Sequence, residues 1–336
     1  MKNILHIILA VAVCGPLAGC RDKAAEQAID SFIEATKAAS TGTDSIEVHS
    51  VMILQHGKVR AERYLNGGSP DSAHIMHSVS KTLTAIAAGL AFDEEMLSPD
   101  EKVVDIFPDK LPEEVSDNLA AMTVRDLMTM TCGQEREASA VRRDTADWVK
   151  GFLAAEVPFE PGTHFAYNSL GTYMISAILQ QKTGMKVVDY LDSLIFKPMD
   201  ISTPLWEESP QGINCGGWGL WLKTGDMAKI GQLLLDGGVW KGRQLISKDW
   251  VRRMTSPQVP TARPGDKRPD WTQGYCFFMW VCNCAGATRG VRADGSEGQY
   301  IILLPDKDAV VVLTSQATLY QPYLDLVWEY LLPVCK

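Results

Sequence analysis

Ser78-Val79-Ser80-Lys81-Thr82-Leu83-Thr84-Ala85-Ile86-Ala87-Ala88-Gly89-Leu90-Ala91-Phe92 joins a polar tetrad to a long uncharged apolar run. A helix that is apolar on every side is a buried helix, so Thr82 to Phe92 is read as one. The tetrad in front has the form S-x-x-K, which occurs once in the chain. Residues three apart share a helix face, so Lys81 Nζ can reach Ser78 Oγ. The helix N-terminus adds unpaired N–H groups that favour negative charge beside the serine. A serine hydroxyl is a weak nucleophile without a base at hand. A lysine desolvated by Leu83, Ile86 and Ala87 holds its proton less tightly, which makes it a candidate partner.

Working outward, Ile46 to Gln55 and Lys58 to Leu65 read as two strands of a hairpin around His56-Gly57. From Asp93 to Asn214 the pattern is helical and loop-like, broken by Pro99, Pro108, Pro112, Pro158, Pro161, Pro198 and Pro204. Its helical candidates are Val124 to Met130, Tyr167 to Gln181 and Val187 to Phe196. Asp226 to Leu235 and Ser247 to Arg253 follow as amphipathic helices. Gly274 to Val281, Gln299 to Leu304 and Ala309 to Thr314 are strand-like, and Leu319 to Leu332 closes the chain as a helix. Strands at both ends with helices between predict an α+β fold whose sheet is completed by both ends of the chain.

With 336 residues, 46% hydrophobic and 22% charged, the chain has the composition of a globular protein with a sizeable core. A formal charge of −9 and no long Lys/Arg run argue against nucleic acid as a partner. The chain has no G-x-x-x-x-G-K-[ST] loop, no G-x-S-x-G elbow and no H-E-x-x-H.

Lys2 and the apolar run Ile4 to Val13 read as the start of a signal peptide over residues 1–19. The run ends in Leu17-Ala18-Gly19-Cys20, which resembles the lipobox of bacterial lipoproteins. Cys20 is then the lipidation site, tethering the body to a membrane surface in the cell envelope. Arg21 after it favours the outer membrane, facing the periplasm. The alternative is ordinary cleavage beside an incidental cysteine. Residues 20–45, with a helix over Ala24 to Ser40, are read as the tether, lying free or packed on the body. Export makes disulfides possible among Cys132, Cys215, Cys276, Cys282, Cys284 and Cys335, in a mixture with buried thiols.

Two further segments carry candidate chemistry. Phe159-Glu160-Pro161-Gly162-Thr163-His164-Phe165-Ala166-Tyr167-Asn168-Ser169 leads into a helix, where the Tyr167 hydroxyl can face a cleft or be a satisfied core group. Arg292-Ala293-Asp294-Gly295-Ser296-Glu297-Gly298-Gln299-Tyr300 precedes a strand, and its glycines allow close backbone approach at a groove or simply a hairpin turn. His74-x-x-His77 is read as a loop or supporting pair more readily than a metal site. Trp206, Trp218 and Trp221 can line an acyl pocket or pack in the core, with core packing favoured.

These three motifs, in this order from Ser50 to Leu332, resemble the serine β-lactamase and penicillin-binding-protein superfamily. The resemblance is closest to its class C-type and esterase-like serine hydrolases, including 6-aminohexanoate-dimer hydrolases. Pro161-Gly162-Thr163, Gly216-Gly217-Trp218-Gly219-Leu220, Thr224-x-Asp226-Met227-Ala228 and Gly298-Gln299-Tyr300 belong to it. It implies an antiparallel sheet flanked by helices, built from residues 46–92 and 215–336, with an all-helical insertion at 93–214. It also implies Ser78 as acylated nucleophile, Lys81 as proton partner and Tyr167 as base or relay. The backbone N–H groups of Ser78 and Gly295 would form the oxyanion hole, with no metal or cofactor.

The chain departs from the family twice. Ser169 stands where a Tyr-x-Asn motif has its Asn, and Arg292-Ala293-Asp294 stands where Lys-Thr-Gly is usual. Ser169, Arg292 and Asp294 are thus the expected substrate-binding residues, with Arg292 able to grip a carboxylate if it faces the cleft. The expected substrates are small to medium esters, linear amides or short peptides, with β-lactams disfavoured. The altered motifs also admit a catalytically silent envelope binding or sensor protein.

Overall fold

His56 and Gly57 both adopt positive φ, 53° and 68°, the two-residue turn whose twist suits an antiparallel pair. They join β1 (Ile46–Gln55) to β2 (Lys58–Tyr64). The computed structural model describes residues 22–137, 141–142, 145–262, 265–283 and 289–336. The signal peptide, Cys20 and Cys284 lie outside the described residues.

Further strands are β3 (Ala73–Ile75), β4 (Trp221–Lys223), β5 (Val239–Trp240), β6 (Arg243–Gln244), β7 (Trp280–Cys282), β8 (Gly290–Gly295), β9 (Gln299–Leu304) and β10 (Ala309–Ala317). The main sheet has the order β2-β1-β10-β9-β8-β7 and is antiparallel throughout. Strands from the two ends of the chain therefore meet at β1 and β10, as the alternation of strand-like and helical segments predicts.

Both faces of this sheet are buried. Val51, Ile53, Ile302, Leu304, Val311 and Leu313 face one core; Met52, Leu54, Ile301, Leu303, Val310 and Val312 face the other. Alternate residues of a strand point to opposite faces, so uninterrupted apolar strands need helices on both sides. The first face is covered by α1 (Lys23–Ala39) and the C-terminal helical segment, through Ile29, Phe32, Tyr323 and Trp328. Burial of Ile29, Phe32 and Ile33 at roughly 1.5–3 kcal/mol each makes α1 part of the body.

The second face receives α2 (Ser80–Asp93), α3 (Ser169–Thr183) and α4 (Thr224–Leu235). Every residue of α2 from Ser80 to Ala91 is buried. Gly89 has no space for a side chain: a Cβ there would lie 1.9 Å from the Trp250 ring.

Two expectations shift. The apolar stretch from Gly274 contributes only Trp280–Cys282 to the sheet, because Phe278 takes φ +60° and Cys276 N–H bonds back to Met279 O. Tyr275 to Phe278 fill the core instead. The segment Arg292-Ala293-Asp294-Gly295, expected ahead of a strand, is itself β8. Cys132, Cys215, Cys276 and Cys335 are buried thiols outside any disulfide, and Cys282 is buried on β7.

Candidate active site

Ser78 sits in a tight turn, His77–Val79, that runs directly into α2. His77 takes φ +44°, and its carbonyl is held by Ser80 Oγ at 2.6 Å. One turn on, Lys81 projects into the same space. Its Nζ lies 2.9 Å from Ser78 Oγ, 3.1 Å from Ser169 Oγ and 2.8 Å from Gly217 O. The lysine is 1% exposed, and this desolvation brings its pKa down to about 7, against the opposing pull of Glu137 and Asp294.

Tyr167 meets the pair from the start of α3. Its hydroxyl is hydrogen-bonded to Ser78, and burial pushes the phenol well above its ordinary range. The ring stacks on Trp280 at 5.8 Å between centroids and lies 4.9 Å beneath Lys81 Nζ. Serine, lysine and tyrosine thus converge although 89 residues separate Ser78 from Tyr167.

The next two residues divide the work of the helix start. Asn168 is the N-cap, its Oδ1 accepting from Gly171 N–H at 3.1 Å and its amide donating to Gln134 Oε1 at 2.7 Å. Ser169 is the side chain that reaches Lys81. Ser169 contacts the lysine and does not line the cleft.

Arg292 requires a correction. Expected to touch substrate, it is fully buried on β8 and absent from the cleft wall. Its Nε and Nη2 lie 3.0 Å from Asp294 Oδ2, and its guanidinium stacks 4.9 Å over Trp271. Residues two apart on a strand share a face, so the pair forms along β8 with the arginine inside and the carboxylate at the cleft. Burial holds the Asp294 pKa above the ordinary carboxylate value, and Arg292 only partly offsets it. Gly295 ends the strand where a Cβ would lie 2.5 Å from Met76 O, so only glycine lets β8 close on the turn that carries Ser78.

The cleft has a volume of about 360 Å³. Ser78, Tyr167 and Asp294 lie in its wall with the aromatic rings of Phe165, Trp271 and Trp280. Arg268 and Asp266, paired at 3.2 Å, are at its edge. Trp206 and Trp218 belong to the core side, where Trp206 Nε1 donates to Trp218 O at 2.9 Å. His74 stacks on His49, and His77 faces Glu297 at 3.6 Å.

Four residues of the site have roles that side-chain motifs do not announce. Gly217 acts through its carbonyl, a backbone group no residue type announces. Glu137 accepts from Ser169 N–H at 2.9 Å and comes from a loop with no motif of its own. Trp280 comes from an apolar stretch whose pattern signals only burial, and Trp271 from the polar segment Asp266 to Gln273, which carries no motif.

The beta-lactamase family matches residues 29–334 of this chain. The chain belongs to that family. It is 26% identical over 282 residues to the 6-aminohexanoate-dimer hydrolase of Paenarthrobacter ureafaciens, covering 79% of this chain and 71% of the relative. Among solved structures, the octameric penicillin-binding protein homologue from Pyrococcus abyssi superposes with a TM-score of 0.70 at 17% identity, covering 92% of this chain and 77% of that one. EstCE1, a hydrolase with promiscuous acyltransferase activity, gives 0.69 at 16% identity, covering 90% and 99%. The chain is a serine hydrolase of the β-lactamase fold. Among the described residues no helix is long and apolar enough to cross a membrane.

Proposed function

We propose that this hydrolase cleaves esters and linear amides of small to medium acyl groups through a covalent acyl-enzyme on Ser78. The contact of the Ser78 hydroxyl with the Lys81 amine on one side and the Tyr167 phenol on the other carries this reading. A neutral amine has two N–H donors and one lone pair. With Ser169 Oγ and Gly217 O taking the donors, the lone pair is left for the serine proton.

Ser78 Oγ then attacks the substrate carbonyl as its proton passes to Lys81. The oxyanion develops toward the backbone N–H groups of Ser78 and Gly295. The tetrahedral adduct collapses with loss of the alcohol or amine, which takes a proton from the lysine–tyrosine pair. Water attacks the acyl-serine, giving its proton to the same pair and restoring Ser78. Tyr167 acts as a relay, since burial favours its neutral phenol.

Substrate choice follows from Asp294. The cleft presents this carboxylate while Arg292 lies behind it, so a substrate carboxylate meets repulsion. This supports esters and linear amides first, D-amino-acid peptides next and β-lactams last. Incubation with a fluorophosphonate and p-nitrophenyl esters should label and acylate wild type but not Ser78→Ala, read by intact mass. Equal labelling of the variant would overturn the assignment.

The placement in the envelope rests on Leu17-Ala18-Gly19-Cys20. Because Asp22 caps α1 and bonds Arg60 on β2, a lipid on Cys20 would hold the body within a few residues of the bilayer. Radiolabelled palmitate should enter the wild-type protein and not Cys20→Ala.

A further inference from the structure

We propose that Glu137 is a positioning residue for the acyl-transfer chemistry, anchoring the first residue of α3 so that Ser169 and the Lys81 amine stay in register with Ser78. The inference rests on the Ser78 acyl-enzyme reading above.

Six residues, the lysine among them, form a closed ring of contacts. Lys81 Nζ donates to Ser169 Oγ at 3.1 Å, and Ser169 N–H donates to Glu137 Oε2 at 2.9 Å. Glu137 Oε1 lies 3.4 Å from Arg142 Nη2, and that guanidinium stacks 4.8 Å over the Trp218 ring. Trp218 follows Gly217, whose carbonyl returns to Lys81 Nζ at 2.8 Å. The ring is tight where its ends meet: a Cβ on Gly217 would lie 2.8 Å from Ser169 O. Asn168 already serves Gly171 N–H, so Glu137 meets a different unpaired donor of the same helix start. Without it, Ser169 N–H would lack this acceptor, and the hold of Ser169 Oγ on the amine would loosen.

The carboxylate has a second, separable effect. Lys81 faces Glu137 and Asp294, which favour its ammonium, and Arg142, which opposes it. The Tyr167 phenol and Ser78 are uncharged neighbours in the same space. Removing the Glu137 charge must therefore let the lysine lose its proton at lower pH.

The test uses the full chain and a neutral p-nitrophenyl ester. Glu137→Gln keeps an acceptor for Ser169 N–H but drops the charge, so the acid limb of kcat/KM should move about half to one unit toward lower pH. Glu137→Ala loses both and should lower kcat about tenfold or more at every pH, with KM little changed. Arg142→Ala should move the limb the other way. A Glu137→Ala enzyme with wild-type kcat would overturn the proposal, as would a Glu137→Ala loss explained wholly by a lower folded fraction at the assay temperature. Failure of wild type to turn over any ester sinks the parent reading instead, which keeps the two distinguishable.

Discussion

Lys81 Nζ lies 2.9 Å from Ser78 Oγ while the lysine itself is 1% exposed. The proposed nucleophile and its proposed base are thus in contact, with the amine withdrawn from solvent. Burial brings that amine to about 7, the range a general base needs near neutrality.

The first consequence is a pH profile. For a neutral ester, kcat/KM should rise with pH through a limb centred near 7, where Lys81 becomes neutral. Stopped-flow or steady-state rates from pH 5 to 9 check this. A flat profile would exclude Lys81 as the base.

The same burial costs stability. The folded pKa lies below the ordinary value of 10.5, so between about 7 and 10.5 the unfolded chain binds more protons and stability rises with pH. The slope contributed by this group is at most roughly 1.4 kcal/mol per pH unit. Lys81→Met should abolish turnover yet raise Tm, with the largest gain at pH 7 and below and a shrinking one toward pH 10. Melting curves at several pH values read both parts.

Tyr167→Phe removes one hydroxyl and leaves the ring against Trp280. Loss of the relay should lower kcat about 10²-fold or more. Tm should change little, because the stacked ring is retained. A variant with wild-type kcat would remove Tyr167 from the mechanism.

Asp294 and Arg292 make the opposite case, a pair whose parts are worth less apart than together. Asp294→Ala leaves the buried guanidinium with only Asp270, 4.0 Å away, as a counter-charge and should cost about 3 kcal/mol. Adding Arg292→Met should recover part of that loss, since the poorly compensated buried charge goes with it. Chemical denaturation of both variants measures the recovery; no recovery would show that the pair is not the source.

How much of this was legible follows the range of each contact. Ser78 and Lys81 are three apart, so spacing alone brings them to one face. The β1–β2 hairpin is local too, and His56-Gly57 announces it. Tyr167 and Ser169 stand out through a resemblance of motifs, and their contacts with Ser78 and Lys81 span 89 and 88 positions of sequence. Arg292 was misjudged because alternation along a strand tells which residues share a face but not whether that face looks into a cleft or a core. Glu137 gives no signal, being an isolated acid in a loop; Gly217 lies in a motif of the resemblance, but the contact of its carbonyl with Lys81 shows only in the fold.

The amino-acid order alone determined most of the elements, the sheet shared by the two ends of the chain and the juxtaposition of Ser78 with Lys81. These depend on short-range periodicity and on apolar runs that must be buried wherever they go. Only the tertiary structure decided which carboxylate faces the cleft, which arginine is withdrawn behind it, and which loop holds Ser169 on the lysine. Those outcomes depend on how faces of distant elements pack and on the local dielectric that packing creates, neither of which is written in the neighbourhood of any single residue.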